Sequence, residues 1–366
     1  MVISMRDALT DKDLFCYCPE STFFKDATNK YAIPRPGKLP FDRDDIARFR
    51  KYNSLTLVGI GGSYIGMKML DEFCSGFMTP EWNGSIQYAR TSEEFSKLDT
   101  TGTLFVVTSK SGKTPETIEI FNTLPSRDVV FQGAGPEGVE SFPIEEHVGG
   151  RFSIWNTLLP FAIKFGYDAA ENFLQEGIDA KMLVNFSQTA SRLASLSANH
   201  ENKCVLVYDS TLVGFVEYYQ QLFMESLGKD GSSSGVMFGG YGPGMQHSTM
   251  QHVHGSFMNI PTTFVMVEKD SPTDADFQLW ANAKAQAAAL ANNQNKTKSV
   301  FVTVKQSTAS LAKLITLIEM EVLTLATLFN INPFDQPGVE LGKTIATSNL
   351  KILRESKMEL RDFLEL

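Results

Sequence analysis

Short apolar segments alternate with longer segments of helical periodicity along this chain, and this alternation constrains its fold more than any other feature. Six β-branched or apolar segments have the length of buried strands: 54–60, 103–109, 128–132, 203–209, 262–267 and 299–304. Helical periodicity follows several of them, at 64–77, 114–122, 213–227 and 307–329. Strands that alternate with helices predict mainly parallel sheets with helices on both faces.

The predicted strands fall into two blocks that a long helical segment, residues 154–199, separates. We therefore predict an α/β fold with two lobes, each with its own sheet, a number of domains that 366 residues can accommodate. The predicted division is an N-terminal extension (1–50), a first lobe (51–152), a helical connector (153–200), a second lobe (201–345) and a C-terminal helix (346–366).

Composition and charge exclude several classes of partner. The chain is 43% hydrophobic and 20% charged, as globular proteins are, and its net charge is −9. Nucleic acids and anionic membranes need a basic surface, so we expect neither as a partner. No uncharged apolar segment reaches the roughly 18 residues of a membrane span, because Lys313, Glu319 and Glu321 interrupt the nearest candidate, 311–329.

The N-terminal residues lack the continuous apolar core of a signal peptide, and we expect a cytoplasmic protein. The four cysteines are few for this length, and Cys16 and Cys18 stand too close together for a zinc Cys-x-x-Cys site. We therefore predict reduced structural thiols.

Ligands of such sheets bind at the carboxyl ends of strands, which directs attention to the loops after residues 60, 109 and 209. The first loop, "GIGGSYIG" (59–66), has glycines that allow backbone N–H groups to approach an anion. A dinucleotide fingerprint would require glycine in place of Tyr64, and the strand ending at Arg90 lacks the acidic residue that binds a ribose. These departures disfavour NAD and FAD, while a tight turn without a ligand remains an alternative.

The second loop, "SKSGKTPET" (109–117), resembles the end of a nucleotide-binding P-loop. A P-loop would require glycine five residues before Gly112, where Val107 lies within the strand, so this interpretation fails. The turn that remains offers hydroxyl groups and an ammonium group at a helix N-terminus, from Ser109, Lys110, Ser111 and Thr114. This set suits a phosphate monoester. The alternative is that Thr114 only caps the helix that Pro115 begins.

Six sequence blocks together resemble the glucose-6-phosphate isomerase family. In chain order they are "GIGGSYIG", "SKSGKTPET", "VGGRFS" (148–153), "QLFMESLGK" (221–229), "MQHSTMQHVHG" (245–255) and "QPGVELGK" (336–343). The resemblance implies two sugar-isomerase (SIS) lobes of the flavodoxin-like, three-layer αβα type with mainly parallel sheets. It also implies reversible isomerisation of glucose 6-phosphate and fructose 6-phosphate through ring opening and a cis-enediol or enediolate intermediate, with no cofactor.

The resemblance also assigns roles to individual residues. It implies that Glu225 is the base, that His254 and Lys343 open the sugar ring, and that Arg151 lies beside the C1–C2 end of the substrate. The substrate- and phosphate-binding residues would be Gly62, Ser63, Ser109, Lys110, Ser111, Thr114, Gln221 and Gln336. Because the family's histidine comes from the partner subunit, the resemblance implies a homodimer with His254 contributed across the interface.

These residue types suit the chemistry, but three of them also have an interpretation without a catalytic role. A histidine can transfer protons near neutral pH, one carboxylate can move a proton between neighbouring carbons, and an arginine can stabilise an enediolate. Glu225 could equally be a solvated residue of an amphipathic helix, Arg151 part of a surface ion pair, and Lys343 a solubilising charge.

Three histidines within eight residues, His247, His252 and His254, raise the alternative of a metal site. The chain has no H-E-x-x-H pattern, so we expect no metal and assign activity to His254 alone, with His247 structural and His252 unassigned. Lys113 stands where loops of the family usually have threonine or another small residue. It adds positive charge beside the predicted phosphate-binding site. The functional alternatives are an isomerase that also accepts mannose 6-phosphate and a non-catalytic sugar-phosphate-sensing protein.

Overall fold

The computed structural model describes residues 8–10, 14–17, 31–125, 128–198, 202–229, 235–293, 297–356 and 359–364. The strands are β1 (Ala8–Thr10), β2 (Leu14–Tyr17), β3 (Ser54–Val58), β4 (Ser85–Ala89), β5 (Thr103–Ser109), β6 (Val129–Gly133), β7 (Ser141–Phe142), β8 (Asn202–Val207), β9 (Val236–Tyr241), β10 (Thr262–Glu268) and β11 (Ser299–Lys305).

The helices are α1 (Arg43–Phe49), α2 (Gly62–Ser75), α3 (Ser92–Phe95), α4 (Pro115–Phe121), α5 (Leu159–Phe165), α6 (Tyr167–Met182), α7 (Val184–Ala198), α8 (Val213–Leu227), α9 (Gly242–Gln246), α10 (Met250–Gly255), α11 (Asp274–Asn292), α12 (Thr308–Phe329), α13 (Glu340–Ser356) and α14 (Leu360–Leu364). Short 3₁₀ helices span Gly150–Asn156, Ser210–Leu212 and Pro337–Val339.

The first sheet contains five parallel strands in the order β4-β3-β5-β6-β7. Every residue of β3 and β5 is buried, as expected of central strands covered on both faces. The chain continues from the central strand β3 to β4, which pairs with one edge of β3. It then returns so that β5 pairs with the opposite edge of β3. This flavodoxin-like order leaves a crevice at the carboxyl ends of β3 and β5.

The second sheet has six strands in the order β1-β2-β11-β10-β8-β9. Its parallel strands β11, β10, β8 and β9 repeat the flavodoxin-like order, with a second crevice between β8 and β10. The N-terminal strands β1 and β2 add an antiparallel edge beside β11. The predicted α/β fold with two mainly parallel sheets is therefore confirmed.

Strand β9 was not predicted, because its sequence "VMFGGY" contains two glycines that weaken the strand pattern. The structure shows why one of them is required. A Cβ atom at Gly239 would lie 2.0 Å from the carbonyl oxygen of Val205 on the neighbouring strand. No side chain fits there, so tertiary packing overrides the local preference of the sequence.

Helix α12 is buried along most of its length and packs against α6, α7 and α8. Its carboxylates are paired inside the protein. Glu319 accepts hydrogen bonds from Arg35 (2.6 Å) and from the indole N–H of Trp155 (3.0 Å), and Glu321 binds Lys203 at 2.5 Å. Burial raises the pKa of Glu319, and the Arg35 charge opposes that shift. These pairs explain how a strongly apolar helix carries charges in its core.

Within the described residues, no helix is long and apolar enough to cross a membrane. Cys74 and Cys204 are free and buried, in agreement with the prediction of reduced structural thiols. Burial raises the pKa of the Cys204 thiol to about 12. The side chains of Cys16 and Cys18 lie outside the described residues.

The Arg35–Glu319 pair provides a test of the core. We expect Arg35→Met to lower the free energy of unfolding by about 3–5 kcal/mol, because it leaves the fully buried Glu319 carboxylate without its cation. The exposed pair of Lys97 and Glu93 is the control, and Lys97→Met should cost less than about 1 kcal/mol. Urea denaturation followed by circular dichroism measures both values, and equal losses would contradict this account.

Candidate functional site

The loop after β3, residues 59–62 and here called the glycine loop, passes very close to a second backbone segment. Gly61 has a φ of 60°, and a Cβ atom at Gly62 would lie 2.1 Å from the carbonyl oxygen of Gly150. Only glycine permits this approach. It places the N-terminus of α2, with the partly buried Ser63, against the 3₁₀ helix that carries Arg151.

The loop after β5, residues 109–114 and here called the hydroxyl loop, lies at the same edge of the sheet. The hydroxyl oxygens of Ser109 and Thr114 are 3.1 Å apart. Thr114 stands at the N-cap position of α4, but its side chain makes no capping hydrogen bond. The hydroxyl of Thr114 is therefore not used to cap the helix, which was the structural alternative for this residue.

Gly112 bends the hydroxyl loop with a φ of 63°, and a Cβ atom there would lie 2.1 Å from the carbonyl oxygen of Ala134. Ser111 is exposed and accepts a hydrogen bond from the backbone N–H of Lys113 at 3.2 Å. The Lys113 residue is exposed, whereas Lys110 is partly buried. The loop therefore presents hydroxyl and ammonium groups on a backbone that glycine holds in a fixed turn.

Arg151, Gln221 and Glu225 come together beside the glycine loop. Arg151 Nη1 lies 3.2 Å from Glu225 Oε1, and Gln221 Nε2 donates to Glu225 Oε2 at 2.9 Å. The side chain of Arg151 is 1% exposed, while that of Glu225 is 26% exposed. Gln221 also lies next to the glycine loop, since a Cβ atom at Gly61 would be 3.1 Å from its Nε2.

Several polar atoms in this group retain unused hydrogen-bonding capacity. Within the described part of the chain, Arg151 Nε and Nη1 and Gln221 Oε1 are buried without a hydrogen-bond partner. Arg151 Nη2 donates to the carbonyl oxygen of Asp335 at 2.8 Å. Burial lowers the pKa of the Arg151 guanidinium, and Glu225 and Asp335 oppose that shift. Buried donors beside a carboxylate suit a ligand with an anionic oxygen.

Two further residues belong to this group and were not predicted. Lys229 Nζ donates to the backbone carbonyl oxygens of Glu225 (3.0 Å) and Ser226 (2.6 Å), and it lies 3.7 Å from Asp335 Oδ1. Lys229 is part of the "MESLGK" block and Asp335 directly precedes Gln336. Both residues lie in or beside blocks that resemble the family, but no local sequence pattern indicates that Lys229 and Asp335 lie close together in the fold.

Among the described residues, the polar contacts of His254 and Lys343 go to groups other than Glu225. His254 Nε2 lies 2.8 Å from Gln286 Oε1 on α11, and Lys343 Nζ lies 2.7 Å from Glu340 on α13. Gln336 is partly buried and precedes the 3₁₀ helix Pro337–Val339. The roles predicted for these residues stay predictions, as do those of the residues in the two loops.

An ion-pair network lies at the carboxyl ends of β8 and β10, where the second crevice begins. Lys269 Nζ lies 3.1 Å from Asp209 Oδ2, after β8, and 2.6 Å from Asp276 Oδ1, on α11. The hydrogen bond from Lys269 is the main cause that lowers the pKa of Asp276 to about 2. The loop after residue 209, which the sequence singled out, therefore participates in an internal ion-pair network.

A cavity of about 480 Å³ lies elsewhere, between α2, α8 and β9, with Lys68, Glu72 and Glu217 in its lining. None of the predicted site residues lines this cavity. Among the described residues, no group of three or more His, Cys, Asp and Glu side chains could hold a metal ion.

Solved structures of sugar-phosphate isomerases have the same fold. One is a glucose-6-phosphate isomerase from Chlamydia trachomatis D/UW-3/Cx, with a TM-score of 0.73 and 25% identity over 86% of this chain and 72% of that chain. Another is tagatose-6-phosphate ketose/aldose isomerase from Escherichia coli, with a TM-score of 0.53 and 14% identity over 81% of this chain and 90% of that chain. The fold is thus that of the two-lobed SIS class.

Sequence comparison defines the family within this class. The pattern of phosphoglucose isomerase matches residues 131–307 and 293–363. The glucose-6-phosphate isomerase of Rhizorhabdus wittichii is 30% identical over 347 residues, which cover 80% of this chain and 69% of the relative. That of Shewanella woodyi is 27% identical over 383 residues, covering 83% and 70%. The chain belongs to the phosphoglucose isomerase family, and its predicted class, aldose–ketose isomerase, is confirmed.

A substitution that adds a single methyl group tests the contact between Gly62 and Gly150. We expect Gly62→Ala to lower the free energy of unfolding by about 1–3 kcal/mol, because the new Cβ atom would push the Gly150 carbonyl away. Gly37→Ala is the matched control, since nothing lies within 4 Å of a Cβ atom there. Thermal and urea unfolding compare the two variants, and an unperturbed Gly62→Ala protein would show that the two segments are not in contact.

Proposed function

We propose that this protein interconverts glucose 6-phosphate and fructose 6-phosphate. One observation carries the proposal: Glu225 and Arg151 lie together beside the crevice whose other loop presents the hydroxyl groups of Ser109 and Thr114. The named relatives are glucose-6-phosphate isomerases, which supports the choice of substrate. Such an activity would belong to glycolysis and gluconeogenesis in the cytoplasm.

The hydroxyl loop would bind the phosphate group of the substrate. Its hydroxyl groups and the Lys110 ammonium supply hydrogen-bond donors and positive charge at the carboxyl end of β5. The glycine loop, with Gly62 and Ser63, would contact the sugar from the neighbouring strand. Binding the phosphate away from the reacting carbons fixes the orientation of the sugar, which lowers the entropic part of the barrier.

Glu225 would transfer the proton between C2 and C1. Its carboxylate is partly exposed, and both of its oxygens face groups that orient it, Arg151 and Gln221. As the proton leaves carbon, negative charge develops on the substrate oxygen. The buried Arg151 guanidinium, whose Nε has no hydrogen-bond partner among the described residues, would stabilise that charge, and Gln221 Oε1 would accept a hydrogen bond from a sugar hydroxyl.

Ring opening would use His254 and Lys343, whose hydrogen bonds among the described residues go to Gln286 and Glu340. We infer a homodimer in which His254 acts across the interface. The surfaces near these residues support this inference: α13 has no buried residue, and Leu341 on it and Phe257 near His254 are 71% and 91% exposed. Large exposed apolar side chains of this kind mark interaction surfaces.

Turnover assays also test two alternatives. A related isomerase would also accept mannose 6-phosphate, which differs at C2, the carbon that Glu225 would deprotonate. A sugar-phosphate-sensing protein would bind without turnover. The presence of Arg151, Glu225, His254 and Lys343 in one chain favours an enzyme.

Replacing the proposed base tests the mechanism. We expect Glu225→Gln to lower kcat by about 10²- to 10⁴-fold with little change in KM, because the amide keeps the shape of the side chain but cannot accept the proton. Glu217→Gln, at an exposed position of the same helix, is the matched control and should retain wild-type kcat. A dehydrogenase-coupled assay with fructose 6-phosphate, repeated in EDTA, measures both.

The wild-type protein in D₂O should introduce deuterium into the product, because a carboxylate that holds the proton exchanges it with solvent. Normal turnover by Glu225→Gln would refute the role of Glu225. No turnover by the wild-type protein would favour the sensing alternative, and turnover of mannose 6-phosphate would favour the broader isomerase.

Mixing two inactive variants tests the shared site. We expect Glu225→Gln and His254→Ala to be inactive alone and to recover about one quarter of wild-type activity after denaturation and refolding together. Half of randomly formed dimers are hybrids, and each hybrid has one intact site if His254 acts across the interface. No recovery in refolded mixtures that contain hybrid dimers would show that His254 does not act in this way.

A further inference from the structure

Glu225 lies in the last turn of α8, where backbone carbonyl groups lack partners within the helix. Gly228 ends the helix, and its N–H binds the carbonyl of Met224. The carbonyls of Glu225 and Ser226 are bound instead by the Lys229 ammonium, at 3.0 and 2.6 Å. A cation in this position also counteracts the negative end of the helix dipole.

Lys229 is itself held from the opposite side. Its side chain is 8% exposed, and its ammonium lies 3.7 Å from the carboxylate of Asp335. The backbone carbonyl of Asp335 accepts the hydrogen bond from Arg151, whose guanidinium lies against Glu225. The contacts therefore form a closed ring: Glu225 to Arg151, Arg151 to Asp335, Asp335 to Lys229, and Lys229 back to the main chain of Glu225.

We propose that Lys229 is a positioning residue that holds the Glu225 carboxylate against Arg151 by binding the last turn of α8 and anchoring it to Asp335. This inference rests on the proposed function for its kinetic consequences, but not for its structural ones. Without Lys229 the last turn loses two hydrogen bonds and its link to Asp335. The backbone that carries Glu225 is then held less firmly, although Arg151 and Gln221 still contact its carboxylate.

The ammonium of Lys229 lies among opposing charges. Burial and the neighbouring Arg151 lower the pKa of Lys229, and the carboxylates of Asp335 and Glu225 oppose that shift. Lys229→Arg keeps this positive charge, whereas Lys229→Met removes it together with both hydrogen bonds to the end of α8.

The test compares Lys229→Met, Lys229→Arg and the control Lys269→Met in the full-length protein. Lys269 is also ion-paired with carboxylates, but it lies in the second crevice. We expect Lys229→Met to lower kcat by about 10- to 100-fold, because small displacements of a catalytic group are costly. KM should change less than about threefold, since the proposed phosphate loop is untouched. Lys229→Arg should restore most of kcat, and Lys269→Met should retain wild-type kcat.

Hydrogen–deuterium exchange provides a measurement that does not depend on activity. Backbone amides at the end of α8, residues 226–229, should exchange at least about tenfold faster in Lys229→Met than in the wild type, while α12 is unchanged. Unchanged exchange at the end of α8, or an unchanged kcat in an active protein, overturns the positioning role. Equal kinetic losses in Lys229→Met and Lys269→Met also overturn it. If the wild type has no isomerase activity, the proposed function fails and the exchange result alone decides the role of Lys229.

Discussion

The close approach of α2 and α8 is the constraint on which the candidate site depends. Gly61 and Gly214 allow it, since Cβ atoms there would lie 3.1 Å from Gln221 Nε2 on α8 and 3.1 Å from Met69 Cα on α2. Gly62 brings in a third segment, since a Cβ atom there would lie 2.1 Å from the carbonyl oxygen of Gly150 in the 3₁₀ helix that carries Arg151. The two helices belong to different sheets, so this contact brings a loop of the first lobe to the carboxylate of the second. Side chains at these positions would separate the two halves of the site.

Much of the architecture could be predicted from local sequence, because buried parallel strands are continuous apolar segments and need no distant information. The two sheets, α2, α8 and α12 were found in this way. Arg151, Gln221 and Glu225 lie in two of the blocks that resemble the family, and the structure brings these three side chains together. That resemblance also led to the isomerase class, which neither periodicity nor composition could have provided.

The features that the sequence did not show depend on contacts between distant residues. Strand β9 has glycine where a strand pattern would have a side chain, since the backbone of Val205 occupies the space. Lys229 and Asp335 are separated by more than a hundred residues, and either alone would pass for a surface charge. The Asp209–Lys269–Asp276 network likewise joins loops after two different strands, so a polar residue at a strand end did not distinguish a ligand-binding position from one in an internal ion pair.

The two lobes carry different groups at their strand ends despite their common strand order. In the second lobe Lys269 neutralises the carboxylates on the protein itself, whereas the first lobe keeps hydroxyl groups at its strand ends. The first lobe would bind the ligand, while the second lobe supplies the reactive carboxylate on α8. We expect such a separation to let selectivity diverge by changes in the hydroxyl loop alone, without rebuilding the machinery for proton transfer.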